Sequence, residues 1–484
     1  MSNQHDTFLI GGRWTAPSSS DEIVVVSPND GQRLGAVAAG GPADIDAAVA
    51  AARAAFDAPD GWPHWPADKR AAAMQSLADA LDRRSEQLAA AVSMQNGMPI
   101  TMATQLEAVF PQVLLRYYAQ LACSESWSTE RPGLLGGQTT ITRTPVGVVG
   151  AIVPWNFPQA LSAFKYAPGL AAGCTFVIKP SPETVFDAAL FAEAVAESDI
   201  PPGVINVVPG GRETGAYLVA HPGIDKVAFT GSTQVGREIA TVCGGLLRPV
   251  TLELGGKSAA IILDDADLDL GVIGEKLFAA TLLNNGQTCF IGSRILAPRS
   301  RYTEVVDVVT ALAASLSVGN SLDPATQIGP LVTSRQRDRV EAVIAGAKRG
   351  GARLTTGGAR PAGLDGGWFV APTVFADVTN DDPIAREEIF GPVLTVIGYD
   401  DDDEAVRIAN DNDYGLGGSV WTTDPHRGLA LARRVRSGTM GINHYMPDPT
   451  APFGGVKASG LGRELGPEGM AAYLELKSIY QPAG

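Results

Sequence analysis

The sequence has 484 residues, of which 45% are hydrophobic and 18% are charged, a balance typical of folded globular proteins rather than disordered ones. The formal net charge of −15 disfavours unspecific binding to nucleic acid or to anionic lipid surfaces, so any anionic ligand must be held by local groups. With about 150 residues per domain, the length predicts about three structural units.

The N-terminal segment and the cysteines indicate the compartment. The first residues include Asp6 and contain no apolar stretch of signal-peptide length. No segment of the chain approaches the ~20 consecutive apolar residues that a membrane helix needs. The cysteines, Cys123, Cys174, Cys243 and Cys289, are widely spaced and form no CxxC motif, which argues against disulfides and against a thiolate metal site. We therefore predict a cytoplasmic protein with no metal.

The first third of the chain is predicted to be mainly helical. Alanine-rich segments at 43–58, 67–94 and 101–122 carry apolar residues at helical spacing, which predicts three surface helices. From Val146 the pattern changes to short β-branched runs separated by helical segments. This alternation predicts an open parallel sheet of Rossmann type with helices on both faces. The predicted strands lie in 146–154, 175–180, 204–210, 226–231 and 250–256.

A second α/β series begins near Ser258 and predicts a separate unit. Its strands are expected at 259–263, 294–298 and 392–399, with helices at 302–316 and 333–348. Two further segments with strand-like alternation, 139–147 and 471–482, belong to neither series. They are expected to pair with each other or with another subunit. The acidic run Asp400–Asp403 is typical of a solvated turn before a helix, because consecutive acids cannot all ligate one ion.

Two positions at strand ends suggest a nucleotide site. At Gly231–Ser232 a predicted strand gives way to a helix, whose free N–H groups and dipole can hold a pyrophosphate without basic side chains. The alternative is that Gly231 and Gly236 only permit a tight turn and close packing, since the spacing is not GxGxxG. Lys179 ends the second predicted strand and could donate to ribose hydroxyls, or it could be a surface lysine.

The segment NNGQTC places Cys289 after a polar, glycine-containing turn. A free cysteine is commonly a small buried hydrophobe, but this context is unlike the apolar surroundings of Cys174. A nucleophilic thiol needs a nearby base or a positive dipole. The five histidines stand in no convincing partner motif, which disfavours a cysteine–histidine hydrolase without excluding it.

Two polar residues could assist this thiol. Glu253 stands at the end of the apolar strand VTLE, where burial would raise the pKa of its carboxyl group toward neutrality, as a general base requires. Alternatively, it is an exposed residue at a strand end. Asn156, in VPWNFPQA, could donate a hydrogen bond to a developing oxyanion, or it could serve only turn formation.

Taken together, these stretches resemble the non-acylating, NAD(P)-dependent branch of the aldehyde dehydrogenase superfamily. The resemblance extends over essentially the whole chain, with the motifs in the family's order and at its spacing. The motifs are PWNFP (154–158), IKPS (178–181), FTGST (229–233), LELGGK (252–257), GQTC (286–289), EEIFGPV (387–393), PFGG (452–455) and SGLGRELG (459–466).

The resemblance implies an α/β fold of three units, usually assembled as a homodimer or homotetramer. A Rossmann-like parallel-sheet cofactor domain would comprise residues 1–122 and 146–252. An α/β catalytic domain would comprise 253–447. A small β oligomerisation arm with the C-terminal tail would comprise 123–145 and 448–484.

The resemblance also implies roles for individual residues. Cys289 matches the nucleophile, Glu253 the general base and Asn156 the oxyanion donor of aldehyde oxidation through a hemithioacetal and a thioester. Lys179 matches the contact to the adenine ribose and Glu388 the contact to the nicotinamide ribose. The full set of implied cofactor contacts is Ile152, Pro154, Trp155, Lys179, Gly231, Ser232, Leu254, Gln336, Glu388 and Phe390.

One position departs from the family pattern. Three residues after the ribose lysine, the family often has a glutamate that reads the 2′-hydroxyl, but this chain has Pro182 and then Glu183. NAD is favoured because Lys179 is the only basic residue nearby and Glu183 can substitute. NADP stays open.

The implied substrate pocket is apolar and aromatic, with Met446 nearby. It offers no basic side chain for a distal carboxylate, so an apolar aliphatic, terpenoid or aromatic aldehyde is expected rather than a semialdehyde. A non-catalytic binding or structural protein of the same fold and a cysteine esterase remain alternatives. The implied pocket residues are Phe157, Leu161, Phe164, Phe290, Tyr445 and Phe453.

Overall fold

Two large β-sheets, one of eight strands and one of seven, organise the chain, and two three-stranded sheets accompany them. The computed structural model describes residues 4–482. Residues 1–3, the start of the predicted cofactor domain, and residues 483–484, the end of the predicted C-terminal tail, lie outside the described part. The α/β fold class predicted from the sequence is confirmed.

The strands are short, and most have between two and six residues. In chain order they are β1 Gln4–His5, β2 Phe8–Ile10, β3 Arg13–Thr15, β4 Glu22–Val26, β5 Arg33–Ala38, β6 Ser128–Pro132, β7 Gln138–Pro145, β8 Val148–Ile152, β9 Thr175–Lys179, β10 Ile205–Val207, β11 Lys226–Thr230, β12 Val250–Glu253, β13 Ala259–Ile262, β14 Arg294–Pro298, β15 Arg353–Thr356, β16 Thr373–Ala376, β17 Val393–Tyr399, β18 Gly418–Trp421, β19 Gly441–Ile442, β20 Gly460–Leu461 and β21 Leu474–Gln481.

The helices connect these strands. They are α1 Pro42–Asp57, α2 Ala67–Asp82, α3 Ser85–Asn96, α4 Ile100–Met102, α5 Phe110–Ser124, α6 Pro158–Ala172, α7 Phe186–Glu197, α8 Arg212–Ala220, α9 Thr233–Gly245, α10 Leu270–Thr281, α11 Tyr302–Ser315, α12 Ser334–Arg349, α13 Pro383–Arg386, α14 Asp402–Asn410, α15 Pro425–Ala432 and α16 Gly466–Ala471. Within the described residues, none of the helices is both long and apolar enough to cross a membrane.

The eight-stranded sheet has the order β20-β12-β11-β8-β9-β10-β2-β3. Its five central strands are parallel, and they are the five strands predicted between residues 146 and 256. The antiparallel strands at its two ends, β20 on one side and β2 with β3 on the other, were not predicted. They have only two or three residues each, too few to display an alternating pattern.

The seven-stranded sheet has the order β15-β16-β17-β14-β13-β18-β19. Its three middle strands, β17, β14 and β13, are parallel neighbours and coincide with the three strands predicted after Ser258. The helices predicted at 302–316 and 333–348 are confirmed as α11 and α12. The second α/β series is therefore a sheet of its own.

The two strand-like segments outside both series pair with each other. Strand β21 lies antiparallel to β7, with Leu474 opposite Pro145 and Gln481 opposite Gln138. Strand β6 pairs with the other side of β7, so β21 is an edge strand. Of the two alternatives expected from the sequence, pairing within the chain is the one observed.

The predicted surface helices required correction. The segment 67–94 forms two helices, α2 and α3, because the chain turns at Arg83 and Arg84, where the Arg84 N–H donates to the carbonyl of Leu81. The segment 101–122 contains the end of α4, then a π-helical turn, Ala103–Glu107, and only then the regular helix α5. Helix α5 packs between α2 and α6, so one of its faces belongs to the core.

The acidic run at 400–403 begins helix α14, as predicted. The Asp401 side chain accepts a hydrogen bond of 2.8 Å from the backbone N–H of Glu404 and thereby caps the helix. The carboxylates of the first turn also favour the positive end of the helix dipole. This run therefore has a local structural role.

Candidate active site

The three residues predicted to carry chemistry come together where the two large sheets meet. Asn156 follows β8, Glu253 ends β12, and Cys289 lies in the segment that leads into β14. Asn156 and Glu253 are buried, and Cys289 is half-buried. The Cys289 side chain lies in the wall shared by two cavities, one polar and one apolar.

The polar cavity encloses about 720 Å³ of space that no protein atom fills, including its open mouth. Eight of the ten predicted cofactor residues line it. Ile152 and Lys179 do not; both approach Gly215 in helix α8 instead. The wall consists of Pro154, Trp155, Asn156, Thr230, Gly231, Ser232, Leu254, Gly255, Cys289, Gln336, Arg339, Glu388 and Phe390.

The start of helix α9 faces this cavity and offers an anion site. Ser232 caps the helix and accepts a hydrogen bond of 3.4 Å from Val235 N–H, and Gly231 lies directly before it. Free N–H groups and the dipole of this 13-residue helix favour a phosphate here. The acidic net charge of the protein is therefore no obstacle to nucleotide binding.

Lys179 is buried near the same sheet edge, and its ammonium group donates to the carbonyls of Pro180 and Gly210, both at 2.8 Å. Burial lowers the pKa of Lys179 to about 8, and the Glu183 carboxylate opposes that shift. Glu183 itself accepts a hydrogen bond from Ser181. The amine is thus a buried, oriented donor and not a surface lysine.

Glu388 presents a carboxylate on the far wall. Its Oε1 accepts a hydrogen bond of 2.9 Å from the N–H of Gly256. Burial raises the pKa of Glu388 to about 7, with the hydrogen bond from Gly256 opposing. A Cβ at Gly255 would lie 2.4 Å from Glu388 Oε2, so a larger residue at this position would displace the carboxylate.

Phe390 is held in a strained conformation. Its φ of 59° is in the left-handed region that large side chains avoid. Gln336 stabilises it, because the Gln336 side chain donates to the carbonyls of Phe390 at 2.8 Å and Ile389 at 3.1 Å. The Phe390 ring then meets Trp155 edge-on, with ring centres 5.3 Å apart.

Arg339 is a wall residue that the sequence reasoning missed. Its guanidinium donates to the Glu388 carbonyl at 2.6 Å. Arg339 follows Gln336 by three positions on helix α12 and therefore lies on the same helix face. The three-residue spacing from Gln336 therefore indicates, from the sequence alone, that Arg339 faces the same cavity.

The apolar cavity encloses about 530 Å³ of space that no protein atom fills, including its open mouth. Apart from the thiol, every lining side chain is apolar, and five of the six predicted pocket residues are among them. The wall consists of Leu106, Phe110, Phe157, Ala160, Leu161, Phe164, Leu283, Cys289, Phe290, Met446, Pro447 and Phe453.

Tyr445 is the predicted pocket residue that does not line this cavity. Its ring lies behind Phe290, edge-on with centres 5.1 Å apart, and its hydroxyl bonds to Thr439. It occupies space left by Gly417, where a Cβ would lie 2.1 Å from the Tyr445 oxygen. Tyr445 therefore contacts the cavity only through Phe290.

Two wall residues, Leu106 and Phe110, come from a part of the chain that the sequence analysis treated as a surface helix. They lie in and just after the π-helical turn Ala103–Glu107. The extra residue of a π turn shifts the helix face that follows it. Nothing in the 3.6-residue periodicity reveals such a shift.

Glu253 is buried, with only 2% of its surface exposed, which removes the alternative of an exposed strand end. Neither carboxylate oxygen accepts a hydrogen bond from any described residue. Burial raises the pKa of Glu253 well above its usual value; Glu464 adds to the rise, and Lys165 and Arg463 oppose it. Gly454 provides the space, because a Cβ there would lie 2.5 Å from Oε1.

A buried ion pair lies beside this carboxylate. The ammonium group of Lys165 lies 2.8 Å from Glu464 Oε1, and both side chains are almost fully enclosed. Lys165 also donates to the Thr230 hydroxyl at 2.5 Å. The sequence reasoning missed this pair, although a lysine within the wholly buried helix α6 was a signal that a partner must exist.

The Cys289 thiol has a raised pKa. Burial is the main cause, and the nearby carboxylates of Glu388 and Glu253 add to it. The backbone segment that precedes Cys289 forms a tight turn, in which Asn284, Asn285 and Gly286 all have φ between 51° and 72°. The thiol that lines both cavities therefore ionises less readily than an exposed cysteine in the ligand-free protein.

Comparison with known proteins gives a consistent result. The model of the "Aldehyde dehydrogenase family" matches residues 14–479. A geranial dehydrogenase from Castellaniella defragrans is 54% identical over 480 residues, which cover 99% of each chain.

Solved structures agree along the whole chain. An aldehyde dehydrogenase of Mycobacterium tuberculosis in complex with NAD⁺ has a TM-score of 0.96 and 48% identity, covering 100% of this chain and 99% of that one. A mutant of aldehyde dehydrogenase C from Pseudomonas syringae, in complex with NAD⁺ and octanal, has a TM-score of 0.95 and 39% identity. That match covers 100% of both chains.

The raised pKa of Cys289 predicts a distinctive pH dependence of alkylation in the ligand-free protein. Only the thiolate reacts, so the rate with iodoacetamide should be low at pH 7 and still rising above pH ~9, where an ordinary thiol with a pKa of ~8.5 levels off. Peptide mass spectrometry can follow Cys289, with the exposed Cys123 as internal control. A Cys289 rate that levels off below pH ~8 would contradict the burial argument.

Proposed function

The chain belongs to the aldehyde dehydrogenase family and oxidises an aldehyde to the carboxylic acid with NAD⁺, and from this premise we propose that Cys289, Glu253 and Asn156 perform the chemistry. The observation that carries the proposal is the position of Cys289 in the wall between the polar and the apolar cavity. A sulfur there can reach a carbonyl that enters from the apolar side while a cofactor occupies the polar side.

The residues of the polar cavity fit a nicotinamide dinucleotide. The start of α9 suits the pyrophosphate, Glu388 supplies an acceptor for a ribose hydroxyl, and Trp155 with Phe390 offers an aromatic wall. Lys179 lies outside this cavity, near the same sheet edge, and would donate to the hydroxyls of the second ribose. Arg339 would support Glu388 through its main-chain carbonyl. When bound, NAD⁺ accepts the hydride and brings a positive charge that favours the ionised forms of the nearby thiol and carboxyl groups.

In the first stage the Cys289 thiolate attacks the aldehyde carbon and forms a hemithioacetal oxyanion. The Asn156 side-chain amide and the Cys289 backbone N–H donate to that oxygen. Loss of hydride from the same carbon leaves a thioester on Cys289. Asn156 is suited to this role because the amide is buried and oriented, so it need not reorganise as charge develops.

In the second stage Glu253 removes a proton from water, the water oxygen attacks the thioester carbon, and the carbon–sulfur bond breaks. The products are the carboxylic acid and the free thiolate of Cys289. Glu253 is suited to this role because its oxygens accept no hydrogen bond from the described residues and burial raises its pKa above that of an exposed carboxylate. The neighbouring ion pair also acts on the pKa of Glu253: the Glu464 carboxylate raises it and the Lys165 ammonium group lowers it.

The proposed substrate is an apolar aldehyde of terpenoid or medium aliphatic type. The apolar wall of the second cavity supports this, because it would leave a distal carboxylate without a partner. The 54% identity to a geranial dehydrogenase points in the same direction. No histidine lines either cavity in the described structure, which disfavours a cysteine esterase with a histidine base.

We further propose three units and a homodimeric or homotetrameric assembly. The two large sheets and the β6–β7–β21 sheet support units of 1–122 with 146–252, of 253–447, and of 123–145 with 448–484, with one exception: strand β20 of the third unit pairs with β12 in the eight-stranded sheet. Exposed apolar side chains on the third unit support assembly: Leu134 and Leu135 at the tip of the β6–β7 hairpin, and Leu476 and Tyr480 on edge strand β21.

A cytoplasmic location is supported by four cysteines that are all free.

Three substitutions separate the proposed steps. Cys289→Ser should abolish NADH formation. Glu253→Gln should keep a rapid burst of about one NADH per chain but lose steady turnover, because the thioester is not hydrolysed. Asn156→Ala should slow the burst by about 10²-fold or more. Stopped-flow absorbance measures all three, and Cys123→Ser serves as the matched thiol control.

A wild-type turnover rate in Cys289→Ser would rule out the nucleophile. A Glu253→Gln variant that lacks both the burst and turnover would place Glu253 before hydride transfer instead of after it.

The aromatic wall predicts how chain length affects rate. Phe290→Leu should lower kcat/KM for geranial or octanal more than for propanal, by a factor of about 10, because a long chain loses ring contact. Phe375→Leu, a buried phenylalanine of β16, is the matched control and should leave the ratio unchanged. An unchanged ratio in Phe290→Leu would mean that this ring does not touch the substrate.

The assembly proposal predicts that charge on β21 shifts the oligomeric state. Leu476→Lys with Tyr480→Lys should reduce the molar mass measured by light scattering, because these side chains would meet a partner at the sheet edge. Leu322→Lys, another exposed leucine, is the control. An unchanged mass in the double variant would exclude this strand from the interface.

A further inference from the structure

Asn156 and the cysteine segment are joined by two reciprocal hydrogen bonds. The Asn156 side-chain amide donates to the carbonyl of Gln287 at 3.0 Å. In return, the Asn284 side-chain amide donates to the main-chain carbonyl of Asn156 at 2.9 Å. Asn156 and Asn284 are both buried, so each bond is shielded from water and costly to break.

Two further asparagines close this arrangement into a ring. The Asn96 amide donates to the carbonyl of Trp155 at 3.0 Å and to that of Asn156 at 3.4 Å. The Asn285 amide donates to the carbonyl of Gly97 at 2.9 Å. We name Asn96, Asn156, Asn284 and Asn285 the asparagine ring. It connects three parts of the chain that are more than 50 residues apart.

The backbone of the cysteine segment needs such support. Asn284 and Asn285 have φ values of 51° and 59°, a left-handed conformation that asparagine tolerates better than most residues. Their side chains are thereby directed to carbonyls of neighbouring segments. The same residues thus permit the turn and fix it.

The ring determines where the Asn156 amide lies relative to Cys289. One Asn156 N–H is committed to the Gln287 carbonyl, two residues before the thiol, and the other is available to an oxyanion. Movement of the Asn156 backbone by a fraction of an ångström would misplace that donor, and such errors are costly for a preorganised site. The Asn284 amide opposes this movement directly.

We propose that Asn284 is a positioning residue for aldehyde oxidation, which acts by holding the Asn156 backbone so that the Asn156 amide is aimed at the oxyanion. The proposal rests on the proposed function, because it requires Asn156 to be the oxyanion donor. Asn284 itself touches neither cavity, so it acts through Asn156.

A double-mutant cycle on the full-length enzyme tests this proposal. Asn284→Gly keeps the left-handed backbone but removes the donor, so the NADH burst should slow about tenfold or more. The KM for octanal and the affinity for NAD⁺ should stay within about twofold, because neither binding surface changes. In the Asn156→Ala background the same substitution should slow the burst by less than about threefold.

The controls separate positioning from folding. Asn206→Ala removes another buried asparagine, which donates to the carbonyls of Phe176 and Gly203 in the eight-stranded sheet; it should lower thermal stability but keep the burst rate. If Asn284→Gly does not fold, Asn284→Asp takes its place, because it is nearly isosteric and an ionised aspartate cannot donate.

The possible outcomes are distinct. A wild-type burst in Asn284→Gly would overturn the positioning role alone. Losses that multiply in the double variant would also overturn it, since Asn284 would then act independently of Asn156. A wild-type burst in Asn156→Ala would overturn the oxyanion assignment and this inference with it.

Discussion

The hydrogen bond from Asn156 to the carbonyl of Gln287 is the contact on which the site depends. Asn156 belongs to a loop of the eight-stranded sheet, and Gln287 belongs to the segment that enters the seven-stranded sheet. The bond therefore fixes one sheet against the other at the place where Cys289 lies. Cys289, two residues after Gln287, lines both the polar and the apolar cavity at this junction.

Burial at this junction sets the electrostatics of the site. Glu253 and Cys289 both have raised pKa values because water is excluded, and their negative forms would repel each other. In the ligand-free protein, burial therefore disfavours the negative form of both groups. A cationic ligand in the polar cavity would favour the ionised forms.

Much of this arrangement could be predicted from the sequence, because the chemistry is local to strand ends. The strands that lead to Asn156, Glu253 and Lys179 were evident from β-branched runs, and the polar turn before Cys289 was evident from its glycine. The rest depends on tertiary contacts. Tyr445 lies behind Phe290 because Gly417 leaves room for its ring. Gly417 and Tyr445 are 28 positions apart in the sequence, so no local sequence pattern predicts this contact.

The central claim is that the Cys289 sulfur carries the acyl group between hydride transfer and hydrolysis. Intact-protein mass spectrometry of Glu253→Gln, quenched in acid after one turnover with octanal and NAD⁺, tests it most directly. The account predicts one octanoyl adduct per chain, located by peptide mapping on Cys289 and removed by hydroxylamine. An enzyme that has produced NADH but carries no adduct, or carries it on another residue, would contradict the account.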